Sequence, residues 1–130
     1  MDISIYDESP IPVYEQIIIQ VLTGLREKKL EPGSPLPTIR QLASDLRLTN
    51  ATVAKAYQIL ERSKIISTSG RRGTFINERA FENAQRYLDE SVKNQMREFI
   101  GLQIKYGIPL ATLRSTFQTL IAEFNDGGHL

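Results

Sequence analysis

Residues 37–60 read PTIRQLASDLRLTNATVAKAYQIL, and their spacing decides the fold. Ile39, Leu42, Ala43 and Leu46 fall at helical intervals along one side of a short helix, with Thr38 where an N-cap belongs. The stretch DLRLTN interrupts that pattern. Thr49 or Asn50 can then cap a second helix whose inward residues are Val53, Tyr57 and Leu60, with Ala54 and Ala56 permitting close approach. Two short helices joined by a tight turn predict a helix-turn-helix. The outward residues of the second helix are Asn50, Ala51, Lys55 and Gln58, with Thr52 near its start. Such small, polar or cationic groups at the amino end can reach base edges and phosphates in a major groove.

Downstream, Ile65–Thr68 and Thr74–Ile76 are two strand-like runs separated by SGRRG, a glycine-bounded hairpin tip bearing Arg71 and Arg72. This predicts a wing whose guanidiniums are placed to enter a minor groove or grip phosphates. Upstream, Ile3–Tyr6 alternates like a short strand, and Pro12 opens a helix with Val13, Ile17, Val21 and Leu25 on its buried face, flanked by Tyr14, Ile18 and Leu22, as far as about Lys29. LEPGSPLP then ends regular helix.

From Ala80 onward, Phe81, Ala84, Leu88, Val92, Met96 and Phe99 form an apolar stripe that Ile100, Leu102, Ile104 and Tyr106 widen. Gly107 stops that helix, and Pro109 opens another carrying Leu110, Leu113, Phe117, Leu120, Ile121 and Phe124. Two helices of this length cannot bury both stripes on their own, so the faces must meet the winged domain, another subunit or both. A homodimer is expected, with Leu88, Val92, Met96, Phe99, Leu113, Phe117 and Leu120 at its interface. The tail NDGGHL reads as frayed. The fold class is thus mainly α with a small β-wing. A winged helix-turn-helix DNA-binding domain over residues 1–79 precedes a two-helix hairpin over 80–130 for dimerisation and any effector sensing.

Charge supports this division. The 130 residues carry a formal net charge of +1, but residues 1–39 hold three basic and six acidic side chains, 40–79 eight and three, and 80–130 five and six. The basicity is confined to the segment that would meet nucleic acid. With 41% apolar residues the chain can fill a core, and without cysteine it has no disulfide framework, zinc ribbon or thiol nucleophile. No apolar run approaches the roughly 20 residues that span a bilayer, and the acidic MDISIYDESP is no signal peptide. A cytoplasmic protein with no membrane partner is expected.

In their order and spacing, PGSPLPTIRQLA, TVAKAYQILE and GRRGTFI resemble the DNA-binding domain of the GntR family of bacterial transcription regulators. IPVYEQI, the form TVAKAY and the short C-terminal region are most similar to its YtrA-type subfamily, whose members are compact dimers often encoded with ABC transporters. The resemblance implies a repressor bound to an inverted-repeat operator in double-stranded DNA, possible control of an ABC transporter operon included. It implies DNA contacts from Arg40 on the second helix, from Thr49, Asn50 and Thr52 at the start of the third, and from Gly73 with Arg71 and Arg72 on the wing; Thr38 is placed beside this set as the cap of the second helix, and Lys55 joins on charge alone. The chain departs from the family where Arg47 and Lys64 stand at positions many relatives give to glycine, and where Asn50 and Ala54 replace arginines. Asn50 can bond adenine bidentately, which tilts preference towards A·T pairs.

The bland readings are specific. Arg40, Arg71 and Arg72 can serve as surface charge, Thr49 and Thr52 as caps, and the C-terminal stripe as core. A rival function is protein docking through the same basic face; RNA binding lacks a run of aromatics for stacking. Catalysis lacks a constellation: His129 has no partner, Asp89 and Glu90 diverge, and neither metal spacing nor a phosphate loop occurs, so no cofactor is expected. A small-molecule effector, if one is used, has to bind at the dimer interface or between hairpin and winged domain.

Overall fold

Several helix boundaries can be traced to a local cap or a left-handed turn. The computed structural model describes residues 1–127, which form α1 (Val13–Arg26), α2 (Ile39–Leu46), α3 (Asn50–Arg62), β1 (Ile66–Ser69), β2 (Gly73–Ile76), α4 (Ala80–Lys105) and α5 (Leu110–Asn125). His129 lies outside the described residues. Thr38 begins α2 with a capping box: its hydroxyl accepts from the Gln41 N–H at 3.1 Å, and the Gln41 side-chain oxygen accepts from the Thr38 N–H at 3.0 Å. Thr49, rather than Asn50, caps α3 by accepting from the Thr52 N–H at 3.3 Å.

The helix ends share one device. After α1, Lys28 turns left-handed at φ 60, with the Lys29 N–H reaching Gly24 O at 2.8 Å; this ends the helix at Arg26, short of Lys29. Arg47 (φ 58) does the same after α2, with Leu48 N–H to Ala43 O at 2.8 Å, and Lys64 (φ 59) after α3, with Ile65 N–H to Leu60 O at 2.9 Å. Gly107 closes α4 in the same way at φ 84. Glycine is the residue that adopts this conformation freely. The three other occupants are all cations, placed against the negative end of a helix dipole, which offsets part of the strain by about 0.3–1 kcal/mol. At Arg47 and Lys64, where many relatives have glycine, the backbone therefore adopts the left-handed turn that favours glycine and carries the associated strain.

The two strands pair antiparallel, Ile66 opposite Ile76 and Ser69 opposite Gly73. The proline-rich linker, read from sequence only as a breaker, lies along the other edge of β2. There Gly33 N–H donates to Ile76 O, Ile76 N–H to Ser34 O and Leu36 N–H to Thr74 O, at 2.8, 2.9 and 2.8 Å, and Pro35 bridges Phe75. Residues preceding proline favour extended backbone, so this linker is shaped for edge pairing. Ile3–Tyr6, expected as a strand, is extended but pairs with side chains instead. Gln20 and Gln16 each present an amide that bonds both backbone groups of Ser4 and Tyr6 respectively, at 2.7–3.0 Å. A primary amide has the donor and acceptor of a neighbouring strand, which is why Gln16 can be buried without cost.

The core draws on every element of this unit. Ile17, Val21 and Leu25 of α1, Leu42 of α2, Val53, Ala56, Tyr57 and Leu60 of α3, Ile65, and Ile66 and Ile76 of the wing are buried together. Tyr57 donates its hydroxyl to Pro37 O at 2.7 Å, fastening α3 to the linker ahead of α2.

The chain forms two compact units, Met1–Leu88 and Asp89–Leu130. The first runs past residue 79 because the opening turns of α4 are built into it. Ala80, Asn83 and Ala84 are buried, and the Asn83 amide donates to Lys64 O at 2.8 Å. Phe81, placed in the apolar stripe by its spacing, is nearly half exposed, since the docked face is that of Ala80 and Ala84. In the second unit α5 buries none of its residues.

Two outcomes follow. Arg47→Gly should raise unfolding free energy by about 1 kcal/mol, because glycine removes left-handed strain worth roughly that much; denaturant titration reads it. Burial pushes the Tyr57 hydroxyl up to about 12 from 10.0. The unfolded chain therefore loses this proton first, and the stabilising effect, complete below pH 10, is lost as pH rises towards 12. Tyr57→Phe should blunt that alkaline loss while costing about 1 kcal/mol at neutral pH for the missing hydrogen bond, checked by denaturation at both pH values.

Candidate nucleic-acid interface

α3 divides cleanly by exposure. Val53, Ala56, Tyr57 and Leu60 face the core, while Asn50, Ala51, Lys55 and Gln58 are exposed. Thr52 and Ala54 lie half-buried between the faces. Thr49 and Thr52 are tied to each other, their hydroxyls 3.0 Å apart, so that Thr49 caps the amino end where Asn50 stands and Thr52 engages that cap. The amide of Asn50 makes no hydrogen bond among the described residues and is open to an external partner.

Arg40 is exposed in the first turn of α2, next to the Thr38–Gln41 capping box, and forms no ion pair or hydrogen bond among the described residues. Arg71 at the wing tip is equally bare. Arg72, its neighbour, is not: its guanidinium carbon lies 3.9 Å from the centroid of the Phe75 ring, stacked back on the wing's own strand. The two arginines that the sequence presents as a pair are therefore unequal. Gly73 completes the tip at φ 68, where a side chain would be strained. Thr68 and Thr74, with hydroxyls 3.5 Å apart, face each other across the wing behind it.

Lys55 is also engaged. Its ammonium sits 4.0 Å from the centroid of the Tyr14 ring, reaching from α3 to the first turn of α1. Tyr14 donates its hydroxyl to a Glu15 carboxylate oxygen at 3.2 Å. Its pKa is raised by desolvation first, then by that hydrogen bond and the charges of Glu15 and Tyr87. No local pattern announces a contact between residues so far apart in the chain; the spacing of Tyr14 marks it only as a flank of the buried face.

The C-terminal residues singled out by spacing are largely uncovered in the single chain. Leu88, Val92, Met96 and Phe99 of α4 and Phe117 and Leu120 of α5 are exposed, Phe99 at 60%, while Leu113 is half-buried. Among the described residues no group of three or more His, Cys, Asp or Glu is placed to hold a metal ion, and no helix is long and apolar enough to cross a membrane.

Comparison with known proteins agrees with this geometry. Residues 13–76 match the model of the bacterial regulatory proteins, gntR family. The HTH-type transcriptional repressor YtrA of Bacillus subtilis is 34% identical over 125 residues, 96% of each chain, and the HTH-type transcriptional regulator Rv1152 of Mycobacterium tuberculosis is 37% identical over 97 residues, 75% of each. Among solved structures, YtrA from Sulfolobus acidocaldarius, a GntR-family transcription factor, superposes with a TM-score of 0.56 at 29% identity, covering 95% of this chain and 99% of that one. The matched span runs from the start of α1 to the end of the wing, the elements that carry Arg40, Asn50, Lys55 and Arg71, and this chain belongs to the GntR family of transcription regulators, in its short YtrA-type branch, rather than to any class of enzyme.

Proposed function

We propose that the chain acts as a homodimeric repressor that binds an inverted-repeat operator in double-stranded DNA. The observation that carries this reading is the clean division of α3, which presents Asn50, Ala51, Lys55 and Gln58 to solvent, together with the guanidiniums of Arg40 and Arg71, unpaired among the described residues. In this reading α3 enters the major groove, with Asn50 at base edges and Thr49 and Thr52 at its amino end. Arg40 and Thr38 brace α2 against the backbone, Arg71 reaches into the flanking minor groove, and Arg72 with Gly73 shapes the tip that carries it. Unpaired cations favour DNA because no internal ion pair must break before a phosphate is bound.

The second copy is supported by the C-terminal unit. A monomer rarely exposes so many large apolar side chains, and Leu88, Val92, Met96 and Phe99 of α4 with Phe117 and Leu120 of α5, all exposed, and half-buried Leu113 are suited to covering by another copy of the chain. Dimerisation through residues 80–130 would set the half-sites of the operator about one helical turn, roughly 10 bp, apart or a multiple of it. An effector would act by favouring one dimer geometry over another. The relatives named as repressors support the sign of regulation, and the YtrA-type resemblance points to an ABC transporter operon as the target.

Binding to a mixed-sequence duplex should weaken steeply with salt, and replacing Arg40 and Arg71 by alanine should make the slope of log affinity against log salt shallower by about 3 to 4 per dimer. Fluorescence anisotropy from 50 to 300 mM salt reads this; an unchanged slope would place those arginines away from DNA and favour a protein-docking surface. Phe99→Glu with Phe117→Glu should give monomers by sedimentation velocity and lose most DNA affinity, while a dimer that survives both would move the interface elsewhere.

A further inference from the structure

Lys55 is bound to an aromatic ring rather than to a carboxylate, although Glu15 is adjacent in sequence to that ring. The Glu15 carboxylate is instead engaged by the Tyr14 hydroxyl, and Lys55 forms no ion pair among the described residues. These two arrangements differ in what they leave behind. A carboxylate would hold the ammonium and cancel its charge. A ring face holds it and leaves the charge whole.

We propose that Tyr14 is a positioning residue that holds the Lys55 ammonium, still fully charged, on the outer side of α3 for a DNA phosphate. This rests on the DNA-binding reading above and adds to it a residue outside the helix-turn-helix and wing. A free lysine has four rotatable carbons to immobilise before it can hold a phosphate in one place, and resting it on a ring meets part of that cost in advance. α1 and α3 do not need this contact to stay together, because Ile17, Val21, Val53, Ala56 and Leu60 already share the core. Tyr87, on the docked part of α4, is close enough for its charge to raise the Tyr14 pKa, and it packs partly buried against the same core.

The test is a double-mutant cycle on the full chain, read by anisotropy with a mixed-sequence duplex across a salt series. Tyr14→Phe keeps the ring and should bind like the wild type. Tyr14→Leu should weaken binding by about twofold to fivefold for each protomer, the range a surface cation–π contact supports, while leaving the salt slope unchanged because Lys55 keeps its charge. Lys55→Met should weaken binding and reduce the slope by about 2 per dimer. Adding Tyr14→Leu to Lys55→Met should then change nothing further. The proposal is overturned if Tyr14→Leu weakens binding equally with and without Lys55, which would mean general damage to α1, or if Tyr14→Leu is silent while Lys55→Met is not. Silence of Lys55→Met in a wild type that binds DNA would also overturn it while leaving the regulator reading intact. A wild type that binds no duplex at any salt would instead overturn that reading, and this proposal with it.

Discussion

In the proposed reading α3 has to satisfy two partners at once, the core on one side and DNA on the other, and the remainder of the first unit suits that constraint. Its inner side buries Val53, Ala56, Tyr57 and Leu60 against α1, α2 and the start of the wing. Its outer side is left with small and polar groups that stay exposed among the described residues, Lys55 resting on the Tyr14 ring. A helix with so few apolar positions cannot hold itself by propensity, so its orientation is fixed by burial on one side and by its ends. Thr49 secures the beginning, Lys64 and Ile65 the end, and the Tyr57 hydroxyl ties the middle to Pro37. The outer face is therefore presented on a helix anchored at both ends and in the middle, which suits the proposed base reading.

The same logic explains where charge is left uncompensated. Arg40 and Arg71 lack acidic partners within the described residues, and Arg72 and Lys55 rest on aromatic rings. Surface arginines on a helical protein of ordinary purpose would gain by pairing with acids one turn away, yet the sequence supplies few in this segment: eight basic residues against three acidic ones between 40 and 79. The other twelve acids lie outside it, six in residues 1–39 and six in 80–130, so the net charge of the whole chain conceals the basicity of one segment.

The helices and the wing were legible because their signals are local. Apolar residues at helical spacing, the Thr38 and Thr49 caps and the glycine-bounded SGRRG tip each act within a few residues. What escaped the sequence depends on partners far apart in the chain. Gln16 and Gln20 standing in for a strand beside Ser4 and Tyr6, the linker pairing with β2, and Lys55 lying on Tyr14 all require the fold before they can be seen. Arg47 and Lys64 form a third class. Their residue types argue against a left-handed turn, and only the hydrogen bonds of Leu48 and Ile65 reveal that the turn is kept. On α3 the exposure of the outward set was readable from period alone, whereas the inequality of Arg71 and Arg72 was not.

The central claim is that two copies of the divided α3 face read one symmetric DNA site. Selection of duplexes from a random library by the purified protein at near-physiological salt, with sequencing of the bound fraction, tests it directly. The account predicts enrichment of an inverted repeat whose half-sites lie about one helical turn apart or a multiple of it. Recovery of duplexes without a shared motif, or of a single unrepeated half-site, would contradict it.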